Sequence, residues 1–382
     1  MPFTVLSVVG TRPEVIKLAP VIQAIRADRE LRSRVLATAQ HRQLLDQMLE
    51  VFAIAPDVDL DLMRPEHTLA DLTSRVLHSV DRALAAERPD LVLVQGDTTT
   101  VFAAALAAFY RAIPVGHVEA GLRSFDLANP FPEEANRRLT AGLATLHFAP
   151  TRRAQQNLLS ENVAPERVLL TGNTVVDAVQ AVTRGCDLPP PPQPWREVPP
   201  DGACPVYVTL HRRESWGQPL TGIFRALRRA ADTLPQLHIV YPVHPQPRVS
   251  DAAHALLRGH PRIALVEPLD YLSNIAAMKA CSFIVTDSGG IQEEAPVLGK
   301  PVLVLRAVTE RPEAVEAGAS WLVGTREQDV FEAIVALATD MPRRDRMAHV
   351  ISPFGDGRAS QRIVAAIRRL AGLPVRDPPP DL

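Results

Sequence analysis

The stretch "FIVTDSGGIQEEAPVLGKPVLVL" (283–305) holds a β-branched run, a Ser-Gly-Gly turn, a short helical segment and a second apolar run. Short apolar runs bounded by turn residues read as strands buried on both faces, and strand, turn, helix, strand is the βαβ unit of a parallel sheet. The same alternation extends outward in both directions. Upstream lie "VYVTL" (206–210), "LHIVYPV" (237–243) and "IALVEP" (263–268), and downstream "WLVG" (321–324). A separate series occupies the first half, with "VLSVV" (5–9), "VLATA" (35–39), "LVLVQ" (91–95), "PVGHV" (114–118) and "HFAP" (147–150) set between amphipathic segments such as Pro13 to Ala27 and Thr98 to Tyr110. The expected fold class is α/β, with two doubly wound Rossmann-like domains and the active site in the interdomain cleft.

Length agrees, because 382 residues exceed one comfortable core. The expected division is 1–172 for the first domain, completed by a C-terminal helix at 359–372, and 173–358 for the second. The proline-rich "LPPPPQPWREVPPDGA" (188–203) reads as an exposed loop, since proline neither joins a sheet interior nor continues a helix, and the tail 373–382 reads as disordered. The 41 basic and 43 acidic residues nearly cancel, which gives no global attraction for nucleic acid or an anionic membrane. No apolar stretch is long enough to span a bilayer and the N-terminus lacks a signal-peptide pattern, so the expected location is cytoplasmic. Cys186, Cys204 and Cys281 form no CxxC pair, and the histidines have no metal-ligand spacing, so neither a disulfide framework nor a metal site is expected.

In open α/β sheets, ligands gather beyond the carboxyl ends of the strands, where helix N-termini present backbone N–H groups to anions. "GTRPEVIK" (10–17) lacks the dinucleotide spacing, and "GGIQEEAPVLGK" (289–300) has Glu294 and Pro301 where a P-loop needs glycine and Ser or Thr. No nicotinamide or other cofactor is expected. Ser288, Gly289 and Gly290 nonetheless suit a diphosphate, although Asp287 or Ser288 equally suits a helix cap. Glu293 and Glu294 sit where an acid can accept hydrogen bonds from ribose hydroxyls. Asp97, Glu119 and Glu133 with Glu134 follow strand ends as candidate acid/base groups. Asp97 also suits an N-cap, and the glutamate pair also suits a helix first turn. His211, Arg212 and Arg213 stand after one strand and, with Arg12, Lys17 and Arg311, form a candidate lining for phosphate oxygens, whereas His244, after another strand, reads on its own as a neutral core histidine.

Taken in order, "GTRPEVIKLAP", "TAQHRQLLDQ", "GDTTT", "GHVEAGLRS", "PEEANR", "GNTVVDA", "HRRE", "YPVHPQP", "TDSGGIQEEAP", "ERPEAVEAG" and "PFGDGRAS" closely resemble the non-hydrolysing UDP-N-acetylglucosamine 2-epimerases over nearly the whole chain. The resemblance implies GT-B architecture, a homodimer and interconversion of UDP-GlcNAc with UDP-ManNAc. It assigns catalysis to Asp97, Glu119, Glu133 and His211, and UDP binding to Arg12, Lys17, Arg213, Ser288, Gly289, Gly290, Glu294 and Arg311. Bacterial members use a second UDP-GlcNAc as activator, which the resemblance places against Gln40, Gln43, Glu134, Arg212 and His244. The chain departs from the family at Ala307, where an Asp is usual, at Gln246 within the "HxNP" pattern, and at Glu66 and His67, where Arg and Gln are common in activated members. A hydrolysing 2-epimerase and a GT-B glycosyltransferase are the alternatives.

Overall fold

The structure is a computed structural model that describes residues 2–38, 42–62, 68–195, 202–212 and 215–375, together with 380 and 382. The described chain divides into two compact units, one formed by the residues up to Ala178 with Phe354–Leu382, the other by Val179–Pro353.

The first unit runs β1 (Phe3–Val9), α1 (Arg12–Ala27), β2 (Leu31–Ala37), α2 (Arg42–Val51), β3 (Val58–Asp59), α3 (Leu69–Glu87), β4 (Leu91–Gln95), α4 (Thr99–Tyr110), β5 (Val115–Val118), α5 (Glu133–Leu143), β6 (Leu146–Ala149), α6 (Arg152–Ser160) and β7 (Val168–Leu170). Helix α7 (Thr174–Gly185) carries the division between the units. The second unit continues with β8 (Cys204–Thr209), α8 (Gln218–Thr233), β9 (Leu237–Pro242), α9 (Pro247–Leu257), β10 (Ile263–Val266), α10 (Tyr271–Ala280), β11 (Phe283–Thr286), α11 (Gly289–Glu294), β12 (Val302–Val304), α12 (Pro312–Glu316), β13 (Ser320–Leu322), α13 (Glu327–Thr339) and α14 (Met341–Ala348). Helix α15 (Ala359–Leu370) belongs to the first unit, and the return begins ahead of it, where Asn173 N–H donates to the Phe354 carbonyl at 2.7 Å.

Both sheets are wholly parallel. Their strand orders are β3-β2-β1-β4-β5-β6-β7 and β10-β9-β8-β11-β12-β13. Each order reverses at its first strand, so the crevice beyond the strand ends opens between β1 and β4 in one unit and between β8 and β11 in the other. Burial on both faces explains the apolar runs: every residue of β4 and of β11 is buried. Helix α4 contributes Ala103, Ala104, Ala105, Ala107 and Ala108 to the core, small side chains that let the neighbouring helices α3 and α5 approach closely. Strands β3 and β7 went unrecognised in the sequence because edge strands of two and three residues are too short to show a period. Among the described residues no helix is long and apolar enough to cross a membrane.

The proline-rich tract is anchored at its described end, where Trp195 is buried, donates from its indole N–H to the His238 carbonyl at 3.1 Å and meets Tyr207 edge-on. The described part of the tail is bonded, with Leu373 N–H donating to the Arg368 carbonyl at 2.8 Å and Arg362 Nε to the Pro380 carbonyl at 2.9 Å.

Strands β5 and β6 pair His117 with His147. Burial pushes His117 down to about 4 and His147 down to about 3, so both rings are neutral in the fold. An unfolded histidine protonates near its ordinary value of 6.5. The stability tied to these neutral rings is therefore present above about pH 6.5 and lost as pH falls from there toward 4, by about 3 kcal/mol for His117 alone. Glu14 opposes this: burial raises it to about 7, so its contribution is present below 4.5 and lost as pH rises through 7. With two histidines against one glutamate, the urea midpoint read by circular dichroism is expected to fall between pH 6.5 and 4; a flat midpoint across that window would contradict the neutral pair.

Candidate active site

In the first unit, the candidate acids line the ends of β4 and β5, which are neighbours in the sheet. Glu119 follows β5 with φ at +64°, a left-handed conformation that costs a non-glycine residue on the order of 1 kcal/mol and persists only where surrounding contacts enforce it. Those contacts are visible. Lys17 of α1 lies 2.5 Å from Glu119 Oε1, Asn173 Nδ2 donates to the same oxygen at 3.3 Å, and Gln95 Nε2 donates to Oε2. Asp97 lies just past β4, where Arg137 of α5 donates to its Oδ2 from Nε at 2.9 Å and from a second guanidinium nitrogen at 2.8 Å. Asn136 holds the Asp97 carbonyl at 2.9 Å. The N-cap of α4 is Thr98, whose Oγ1 accepts from Val101 N–H at 3.3 Å, so Asp97 is not spent on capping. The Asp97 side chain is 28% exposed and that of Glu119 6%, which leaves Asp97 the more open to a ligand.

Glu133 and Glu134 occupy the first turn of α5. Glu133 is half-buried, whereas Glu134 is buried and accepts from the Ser124 and Phe125 N–H groups at 3.0 and 3.2 Å and from Arg137 and Arg138 at 3.1 and 3.3 Å. Glu134 thereby holds the loop between β5 and α5. Arg12 is the first residue of α1, after the end of β1.

In the second unit, Asp287 follows β11 and is buried. Its carboxylate accepts the His211 N–H at 3.0 Å and the Arg212 N–H at 3.0 Å, and lies 3.4 Å from His211 Nδ1. Burial drives the two groups in opposite senses, His211 down and Asp287 up, so each is held toward its neutral form. The His211 ring stacks on that of His244, with centroids 6.1 Å apart. Asp287 therefore spans two strands and does not cap α11, while Ser288 holds the N-cap position of α11 without a side-chain cap bond, so the helix-cap reading of "DSGG" fails for Asp287 and holds for Ser288 in position alone.

Two guanidinium groups converge on the start of α11. A Cβ placed on Gly289 would lie 3.4 Å from Arg212 Nη2 and 3.8 Å from Arg311 Nη2, so the glycine keeps open a space between two cations and a helix N-terminus. Arg311 is itself clamped, with Nε 2.5 Å from Glu293 Oε1 and its N–H donating to Thr309 Oγ1 at 3.1 Å. Thr309 in turn bonds Gln292 Oε1 at 2.6 Å. The two adjacent acids thus differ in task, since Glu293 orients an arginine while Glu294 is buried at the end of α11. Sequence reasoning missed Gln95, Asn173, Arg137 and the roles of Asp287 and Glu293. Gln40, Glu66, His67 and Arg213 lie outside the described residues, as does the side chain of Gln43.

Two doubly wound Rossmann-like units, each with polar clusters at the strand ends of its order reversal, define an α/β protein of the GT-B class. The profile of the family described as UDP-N-acetylglucosamine 2-epimerase matches residues 23–368. Among curated proteins, the UDP-N-acetylglucosamine 2-epimerases of Yersinia pestis and of Escherichia coli strain K12 are 48% and 47% identical, each match covering 95% of this chain and 98% of the relative. Among solved structures, the UDP-GlcNAc 2-epimerase of Neisseria meningitidis bound to UDP-GlcNAc superposes with a TM-score of 0.88 at 43% identity, covering 96% of this chain and 100% of that one. The chain belongs to the UDP-N-acetylglucosamine 2-epimerase family.

Proposed function

We propose that the protein interconverts UDP-GlcNAc and UDP-ManNAc without net hydrolysis, and so supplies ManNAc-type sugars for cell-surface polysaccharide. The roles divide by unit. The first contributes Asp97, Glu119 and Glu133 as acid/base groups with Arg12 and Lys17. The second contributes Ser288, Gly289, Gly290, Arg213 and Arg311 for the UDP, Glu294 for the ribose and His211 beside the diphosphate.

The reading is carried by two acids at adjacent strand ends, each paired with a cation: Asp97 with Arg137, and Glu119 with Lys17. The hydrogen on carbon 2 has no neighbouring carbonyl to acidify it. Its removal becomes feasible when the bond from carbon 1 to UDP breaks in the same step. A carboxylate takes the proton, the C–H electrons form the C1=C2 double bond of a 2-acetamidoglucal, and the charge developing on UDP meets backbone N–H groups, arginines and His211. Return of UDP to carbon 1, with a proton delivered to the opposite face of carbon 2, completes the inversion. Two faces require two acid/base groups, which a pair of separately held carboxylates supplies. Supplying UDP and synthetic 2-acetamidoglucal to the protein tests this: both UDP-sugars are expected to form, whereas free ManNAc alone would place the protein in the hydrolysing branch.

The Glu293 clamp supports a UDP-binding role for Arg311. Glu293→Gln loosens the guanidinium and is expected to raise the Kd for UDP about tenfold, near 1.4 kcal/mol, by calorimetry. An unchanged Kd would detach Arg311 from the nucleotide. A homodimer, and a second UDP-GlcNAc held as activator by Gln40, Gln43, Glu134, Arg212 and His244, complete the proposal. In it Glu134 acts through the Ser124–Phe125 loop that it anchors, and activation is expected as a kinetic lag abolished by added UDP-GlcNAc.

A further inference from the structure

We propose that Glu14 is a positioning residue, a buried strut that ties the turn leading into α1, just ahead of Arg12, to the loop carrying Asp97. It is 1% exposed. Its Oε2 accepts the Gly10 N–H at 2.5 Å and the Thr11 N–H at 3.0 Å, while Oε1 accepts the Thr98 hydroxyl at 2.7 Å. Gly10 and Thr11 follow β1, Thr98 follows β4, and these strands pair at the reversal of strand order. Two of the three bonded residues are immediate neighbours of a proposed site residue, Thr11 of Arg12 and Thr98 of Asp97.

A glutamate at the third position of a helix needs only its bond back to the N-cap N–H to complete a capping box. The bond to Thr98, 84 residues away in sequence, adds nothing to that cap and joins two crossovers instead. Burial is also superfluous for capping, and it raises the Glu14 carboxyl to about 7. The surroundings leave the junction no slack: a Cβ on Gly10 would collide with the hydroxyls of Thr38 and Thr100. The second unit uses the same device at the corresponding place, where Asp287 after β11 takes the N–H groups of His211 and Arg212 after β8.

The inference rests on the acid/base reading of Asp97, and the test separates the two. Glu14→Ala and Thr98→Val each cut the strut. Because a reacting group displaced by ~1 Å loses on the order of 10²-fold in rate, kcat is expected to fall at least about tenfold in both, with KM within about threefold of the parent. Glu14→Gln keeps all three bonds, its carbonyl accepting from Gly10 and Thr11 while its amide donates to Thr98, and Thr98→Ser keeps the hydroxyl. Both are expected to stay within about threefold of the parental kcat. Thr98→Val also removes the α4 cap, which Thr98→Ser restores. If Glu14→Ala fails to fold, Thr98→Val decides. Parental kcat in Thr98→Val, or Glu14→Gln falling as far as Glu14→Ala, overturns the strut. Parental turnover in Asp97→Asn would instead remove the reading on which it rests.

Discussion

Asp97→Asn is expected to lower kcat about a thousandfold, within the 10² to 10⁴ that a positioned acid/base group contributes, while the Kd for UDP changes less than about threefold. Asparagine preserves the shape of the side chain and one oxygen for Arg137, which approaches Asp97 Oδ2 at 2.8 Å, so the loop keeps its position and proton transfer alone is lost. The separation of the two effects is the informative part. A fall in turnover and in UDP affinity together would mean that Asp97 shapes the nucleotide site, and turnover within about tenfold of the parent would remove it from proton transfer altogether.

The largest stability effect is expected from Lys17→Met. It removes the Lys17 partner of Glu119, whose side chain is 6% exposed, and removing one partner of a buried pair costs about 3–5 kcal/mol. For a unit of this size that corresponds to a fall in Tm of ~10 °C. The amides of Gln95 and Asn173 still donate to Glu119 but do not neutralise it. Adding Glu119→Gln removes the stranded charge, so the double variant is expected to recover most of the Tm and none of the turnover. That non-additivity distinguishes an ion pair from a mere packing role for Lys17. Parental Tm in Lys17→Met would show that the pair contributes nothing to the fold.

Much of this architecture is legible in the chain because strands of a parallel sheet are covered on both faces, which leaves unbroken apolar runs such as "LVLVQ" (91–95) and "FIVT" (283–286) between helical segments. What is not legible is non-local. Nothing within "FTVLSVV" states that β1 lies between β2 and β4, since strand order is set by the crossovers. At the site, the acids after strands were readable because a charge beside buried residues demands a reason. Their partners were not. Glu119 is held by two uncharged amides from distant segments, Gln95 and Asn173. Asp287 is satisfied mainly by backbone N–H groups, which have no residue identity to read. Glu293 looked like half of a ribose-binding pair until Arg311, eighteen residues on, occupied it.

The most direct test of the account is a proton NMR time course of the purified protein with UDP-GlcNAc in deuterated water. The account predicts UDP-ManNAc carrying deuterium at carbon 2, deuterium entering the same position of the remaining UDP-GlcNAc, and no accumulation of free sugar. UDP-ManNAc that retains protium at carbon 2, or release of ManNAc with UDP, would contradict reversible elimination and re-addition by the carboxylates of the first unit.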